Sequence, residues 1–241
     1  MTKENKKESL FTFGLNNDAG RDAWLKKILT AIPAGSRILD AGAGERRFEK
    51  YCTHLKYVSQ DFGGYDGVGD SVGLQTGVWN QKGLDIVSDI TNIPEPDGSF
   101  DAILCSEVFE HIKNPVEAIK EFSRLLKKGG MLIVTAPFAS GTHFAPYHFA
   151  TGFNKYFYEA NLHDNGFEIA EMERNGNFFE FLAQEVRRTP FMVKTYSKKI
   201  VLPFVYVAAI LFLATIRLAY IFDKQSSEFM CYGYFVVARK R

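Results

Sequence analysis

Short apolar runs alternate along this chain with longer stretches whose apolar residues recur every three or four positions. Arg37–Ala41, Lys56–Phe62, Leu84–Asp89, Phe100–Ser106, Gly130–Ala136, Phe167–Glu173 and Gly233–Arg239 read as seven strands. Helical patterns fall near Asp18–Ala31, Arg46–His54, Pro115–Lys127 and Gly152–Asn165. Such alternation predicts an α/β fold with a mostly parallel sheet covered by helices on both faces. Lys127-Lys128-Gly129-Gly130 and Asp164-Asn165-Gly166 read as helix ends, with cations or Asn before a terminating Gly.

Two regions break the rhythm. Phe62–Gly83 holds seven glycines and reads as a long loop with little regular structure. Residues 175–227 read as an apolar helical insertion before the last strand, within a single domain spanning 1–241. Its core, Ile200–Phe222, carries one charge in 23 residues, Arg217, and follows Lys194, Lys198 and Lys199. A helix of that length reaches roughly 35 Å, enough to span a bilayer. A single crossing would leave Gly233–Arg239 on the wrong side of the membrane from the sheet it completes. A re-entrant hairpin broken at Pro203, or a helix lying in the interface, avoids that conflict. A lid or a dimer helix is the alternative, since helices apolar all round also occur in cores.

Composition narrows the function classes. The 241 residues carry 29 basic and 28 acidic side chains, a formal charge of +1, so no global field recruits nucleic acid. Cys52, Cys105 and Cys231 are odd in number and widely spaced, which suits a reducing compartment better than a disulfide framework. The N-terminal MTKENKKESLFTF lacks the apolar stretch of a secretion signal, so a cytoplasmic chain is expected.

The chemistry is concentrated in RILDAGAGER, Arg37–Arg46. Asp40 closes the first strand, and Gly42 and Gly44 follow in the turn, where backbone without a Cβ lets a ligand come close. The dinucleotide fingerprint G-x-G-x-x-G would need glycine at position 47, which is Arg47. A nicotinamide-dependent oxidoreductase is therefore the rival reading rather than the first one.

LDAGAGER resembles the first motif of the class I S-adenosylmethionine-dependent methyltransferases, acid-x-Gly-x-Gly-x-Gly, with Arg46 in place of the last glycine. The resemblance covers about Ala23–Glu173 and implies a Rossmann-like doubly wound fold with S-adenosylmethionine as cofactor. It implies that Asp40 faces the methionine ammonium, with Gly42 and Gly44 lining the tail's path. Asp61 would take the ribose hydroxyls, Asp89 and Ile90 the adenine, and Ser106 would lie beside the methyl donor. Glu107, Glu110 and His111, in SEVFEHI, are similar to a Glu-x-x-Glu-His motif of ubiquinone-pathway and small-RNA 2′-O-methyltransferases, where a divalent cation binds the acceptor oxygens. If Glu107 opens a helical turn, all three share a face, and His143 or His148 completes a site for Mg²⁺, Mn²⁺ or Zn²⁺. Without a metal, His111 or His143 is the candidate general base. Pro137–Phe149, rich in aromatics and histidines, is expected to line the acceptor pocket, while Tyr156, Phe157 and Tyr158 read as core. The expected activity is O-methylation of a small or lipid-linked acceptor by an enzyme peripheral or monotopic at the inner face of the membrane. A catalytically silent, membrane-anchored module is the remaining alternative.

Overall fold

A computed structural model describes residues 9, 10 and 12–241. Most of the N-terminal stretch read above against a secretion signal lies outside them. The chain divides into two compact units. One comprises Arg21–Glu173 with Gly233–Arg241; the other comprises Arg174–Tyr232 with the described residues up to Gly20. The segment expected as an insertion, 175–227, falls inside the second of these.

The larger unit is built on a seven-stranded sheet ordered β3-β2-β1-β4-β5-β7-β6. The strands are β1 (Arg37–Ala41), β2 (Lys56–Asp61), β3 (Ile86–Val87), β4 (Phe100–Ser106), β5 (Leu126–Pro137), β6 (Phe167–Asn175) and β7 (Gly233–Lys240). β1 pairs in parallel with β2 and β4, which puts the topological switch point at the end of β1, beside the glycines. β7 runs antiparallel to β5. The central β4 is buried along nearly its whole length, as its uninterrupted AILC requires of a strand covered on both faces. The helix α1 (Asn17–Thr30) lays Trp24, Leu25 and Leu29 over Ile38, Leu104, Ile133 and Phe235. The helix α2 (Pro115–Leu125) buries Ile119, Phe122 and Leu125, and α3 (Lys155–Asp164) begins on Asn154, whose side chain accepts from the amides of Tyr156 and Phe157.

Several expected boundaries move. The helix expected at Arg46–His54 is a series of turns with one 3-10 turn at Glu49–Tyr51. Arg46 there adopts a φ of +57°, outside right-handed helical geometry. The strand expected at Leu84–Asp89 contracts to Ile86–Val87, an edge pairing only with β2. Lys127-Lys128-Gly129-Gly130 does not end α2, which stops at Leu125; those residues belong to β5, because Leu126 pairs with Phe100 across an irregular register. Tyr158 is fully buried and Phe157 packs on Phe109 and Phe153, but Tyr156 is exposed and does not join the core.

In the smaller unit α4 (Phe178–Tyr196) and α5 (Leu202–Ile221) pack side by side. Asn177 caps α4 by accepting from the amides of Phe179 and Glu180. Phe13, Ala183, Val186, Leu213, Ile216 and Tyr220 form a separate apolar core. Of the two arrangements expected, the hairpin broken at Pro203 is not formed. Pro203 sits in the first turn of a continuous α5, where a missing N–H costs nothing.

Candidate active site

A crevice of about 570 Å³ opens at the C-terminal ends of β1, β2, β3 and β4. Gly42 lines it with φ at +78°, and a Cβ there would meet Val108 Cγ2 at 2.5 Å. Any side chain at 42 would therefore both strain the turn and fill its floor. The amide of Gly44 donates to Asp61 Oδ2 at 3.0 Å, tying the turn to the end of β2. Arg46 occupies the third glycine position with that position's left-handed backbone, and its guanidinium donates to the carbonyls of Gly83 and Lys82.

Asp61, Asp89 and Ile90 all line the crevice, in the order their strands predict. Asp61 Oδ1 accepts from the Gly63 amide at 2.9 Å and from Gln81 Nε2 at 3.3 Å. The Asp89 carboxylate accepts from Thr91 N and Oγ1, and those bonds hold it below the usual carboxylate range. Asp40 and Ser106 do not reach the lining. Asp40 is buried, accepts from Tyr57 Oη at 2.6 Å, and is pushed up to about 7 by burial. Ser106 Oγ pairs with Thr135 Oγ1 at 2.9 Å.

Glu107 departs from the expected helical turn. Its φ is +55°, a conformation non-glycine residues rarely hold, and its side chain is taken by Arg21 at 2.8 Å and Thr135 Oγ1 at 3.0 Å. The 3-10 turn begins only at Phe109. The donor set that converges is therefore Glu110, His111 and His143, whose ligand atoms lie within 4.8 Å of one another, without Glu107. Glu110 Oε1 is 3.7 Å from His111 Nε2 and 3.9 Å from His143 Nε2. His148 packs on His143 with tilted rings, centroids 4.6 Å apart, and bonds Ser140 instead.

Burial, and secondarily Glu107, hold the Glu110 carboxyl well above its ordinary value. Burial, then His143, drives His111 down to about 3, so its imidazole is neutral. His111 Nδ1 lies 2.6 Å from the carbonyl oxygen of Tyr147, which can only accept, so the ring proton sits on Nδ1 and Nε2 carries a lone pair. That Nε2 and Glu110 Oε2 are buried without a hydrogen-bond partner. Orphaned polar atoms on two neighbouring residues are costly in a folded protein and common where something binds.

The glycine-rich stretch is a long loop with little regular structure, as expected, and it packs closely on itself. A Cβ at Gly67 would overlap the Gly77 carbonyl, so Gly67 lets the loop close on itself. Leu74 bridges to His143, its amide and carbonyl exchanging bonds with Thr142 and Phe144. Tyr65 and Trp79 from this loop meet Phe144 with centroids 4.9 and 5.3 Å away, forming an aromatic wall with Phe62, Tyr147 and Phe149. Phe144, Tyr147 and Phe149 come from the segment expected to line the acceptor pocket. Tyr65, Trp79 and Gln60 were not expected at the site. The closely spaced glycines were the only sequence signal for the loop's close packing.

A family model described as a methyltransferase domain matches residues 17–186, well over half of the chain. The chain belongs to the class I S-adenosylmethionine-dependent methyltransferases. The match decides against the oxidoreductase reading, and the enzyme takes S-adenosylmethionine. The crevice suits that cofactor: a floor no Cβ tolerates, followed by carboxylates at the ends of β2 and β3. Over 174 residues this methyltransferase is 33% identical to the demethylmenaquinone methyltransferase of Renibacterium salmoninarum, covering 69% of the chain and 66% of that protein. It is 32% identical over 108 residues to a ubiquinone biosynthesis O-methyltransferase of Xanthomonas oryzae pv. oryzae, covering 42% and 43% of the two. The matches thus span less than two thirds of either relative. The (4+2)-cyclase SpnF superposes with a TM-score of 0.53 at 22% identity, over 92% of this chain and 80% of that one, and shares the fold alone.

Proposed function

We propose that this methyltransferase methylates a hydroxyl oxygen on the ring of a lipid-linked, quinol-like acceptor, as a cytoplasmic enzyme peripheral to the inner face of the membrane. One observation carries the reading: the orphaned donors of Glu110 and His111 lie next to an aromatic-walled crevice that His111 itself lines. Flat apolar rings suit such a wall, and the two relatives' names concern menaquinone and ubiquinone. The exposed apolar surface of α5 supports a membrane setting.

S-adenosylmethionine supplies a methyl group already activated by a positively charged sulfur. The protein's task is alignment and proton handling. Gly42, Asp61, Asp89 and Ile90 hold the cofactor, with Asp61 serving the ribose and Asp89 the adenine region. Asp40, buried behind the glycine turn, braces the end of β1 by accepting from Tyr57. The aromatic wall orients the acceptor ring and keeps water from it. Neutral His111, its tautomer fixed by Tyr147, accepts a hydrogen bond from the hydroxyl at Nε2. It takes the proton as the C–S bond breaks, when positive charge developing on the oxygen makes the hydroxyl acidic enough for so weak a base.

A second reading concerns the same residues. Glu110, His111 and His143 offer one carboxylate and two imidazoles, a donor set that fits a divalent cation of borderline softness, and the orphaned Nε2 of His111 would be satisfied by it. When bound there, a divalent cation lowers the acceptor hydroxyl's pKa. Glu107 then serves as the partner of Arg21 rather than as a ligand.

The test is methyl transfer from labelled S-adenosylmethionine to a short-chain catechol or demethylated quinol, with the product identified by mass spectrometry. An O-methyl product is expected. Label confined to water-soluble acceptors or to carbon would overturn the proposal. Activity lost on chelation and regained with Mn²⁺ or Zn²⁺ favours the metal; activity indifferent to chelation leaves His111 as the base.

A further inference from the structure

α5 is apolar around its whole circumference, yet only a narrow seam of it is packed. Leu202, Val205, Ala209, Leu213, Ile216 and Tyr220 recur at spacings of three and four and are the positions drawn inward. Leu213, Ile216 and Tyr220 meet Ala183 and Val186 of α4. On the rest of the cylinder Phe204, Val207, Leu211 and Leu218 are 59% to 76% exposed. The one charged side chain of α5, Arg217, is half-buried over the rings of Phe13 and Tyr220. A contiguous apolar surface of this kind marks a binding face without saying what covers it.

Charge names the occupant. From Val186 to Phe222 the chain has six basic residues and no acidic one. Arg187 is committed to the carbonyls of Phe13 and Leu10, and Arg188 to Glu185. Lys194, Lys198 and Lys199 are exposed at the end of α4 and in the turn into α5, beside exposed Phe191, Tyr196 and Ile200. Lysine is depleted from protein–protein interfaces, whereas anionic leaflets attract it. The same lysines fix the orientation. A hairpin dipping tip-first would carry them into hydrocarbon, where a charged side chain is strongly disfavoured. A spanning α5 would drag the charged face of α4 with it.

Resting on the membrane reading above, we infer that α4 and α5 dock on an anionic leaflet, lying along the interface. The exposed face of α5 enters the acyl boundary, and Lys194, Lys198 and Lys199 rest against lipid phosphates. This is the geometry of an interfacial helix with basic residues at its polar edge.

The experiment is vesicle flotation of the full chain on phosphatidylcholine alone and on phosphatidylcholine mixed with phosphatidylglycerol, at low and high salt. Three lysines near an anionic surface strengthen partitioning by on the order of 100-fold at low salt. Wild type is expected to prefer the mixed vesicles by at least about tenfold and to lose most of that preference at high salt. The K194Q/K198Q/K199Q variant should bind both vesicles equally and weakly, and F204S/L211S should bind neither. Both variants alter exposed positions, and circular dichroism checks that they fold. Equal binding of wild type to the two vesicles, or a preference that survives in the lysine variant, overturns the inference while leaving membrane contact standing. Failure to float on either overturns the membrane reading itself. Self-association abolished by F204S/L211S, without flotation, would assign the face to a second copy and also overturn the inference.

Discussion

The crevice and the α4–α5 pair break the ordinary rule of burial in opposite directions. Asp61 at the crevice, Asp40 behind it and Glu110 beside it are carboxyl groups at 5% exposure or less. On α5, large apolar side chains face outward. Each departure costs stability in the isolated protein, and each is offset when the missing environment arrives. A buried donor without a partner calls for a polar ligand, whereas an apolar face without a cover calls for an apolar phase. The two proposals of function therefore rest on two independent physical signals.

The largest expected effect tests the crevice. His111→Ala should lower the methyl-transfer rate roughly 100- to 10,000-fold, the range of a lost general base. Cofactor affinity, read by calorimetry, should hold within about threefold. A rate within tenfold of wild type would remove His111 from the chemistry and weaken the crevice half of the comparison.

Next comes the cost of buried charge. Asp40 titrates near 7 in the folded chain against 3.8 ordinarily, so the folded state retains its proton over that window while the unfolded chain has lost it. Its contribution to stability is complete below pH ~4 and lost as pH rises through about 7, a total on the order of 4 kcal/mol. Asp40→Asn keeps an acceptor for Tyr57 and removes the titration. The stability difference between variant and wild type in urea unfolding should therefore grow in the variant's favour from pH 4 to 7.5. A pH-independent difference would show that burial does not set this carboxyl.

The seam of the helical pair follows. Leu213→Ala removes a side chain at 6% exposure and should destabilise the smaller unit by about 3 kcal/mol. Leu218→Ala, on the exposed face, should leave stability within about 0.5 kcal/mol. Equal costs would mean that the outer face is covered in the free protein. A smaller loss than that of Leu213→Ala is expected of Arg217→Met, which keeps the stem over Phe13 and Tyr220 but loses the cation–ring contact, at about 1 kcal/mol in thermal unfolding.

The sequence by itself determined the sheet and the cofactor motifs. Strand-length apolar runs, the acid-x-Gly-x-Gly turn and acids at the ends of successive strands are local signals, and the parallel topology carries them to one edge. The length and uniform apolarity of α5 were equally local. Only the tertiary structure decided that Glu107 leaves the carboxylate–histidine cluster, since Arg21 lies 86 positions away in the chain and nothing at Glu107 announces it. Pairing across space likewise turned a glycine-rich stretch into an aromatic wall, through the bridge from Leu74 to His143. The seam of α5 was hidden for the opposite reason. A helix apolar on every side has no pattern from which to read which face is packed, and the choice is made by its neighbour.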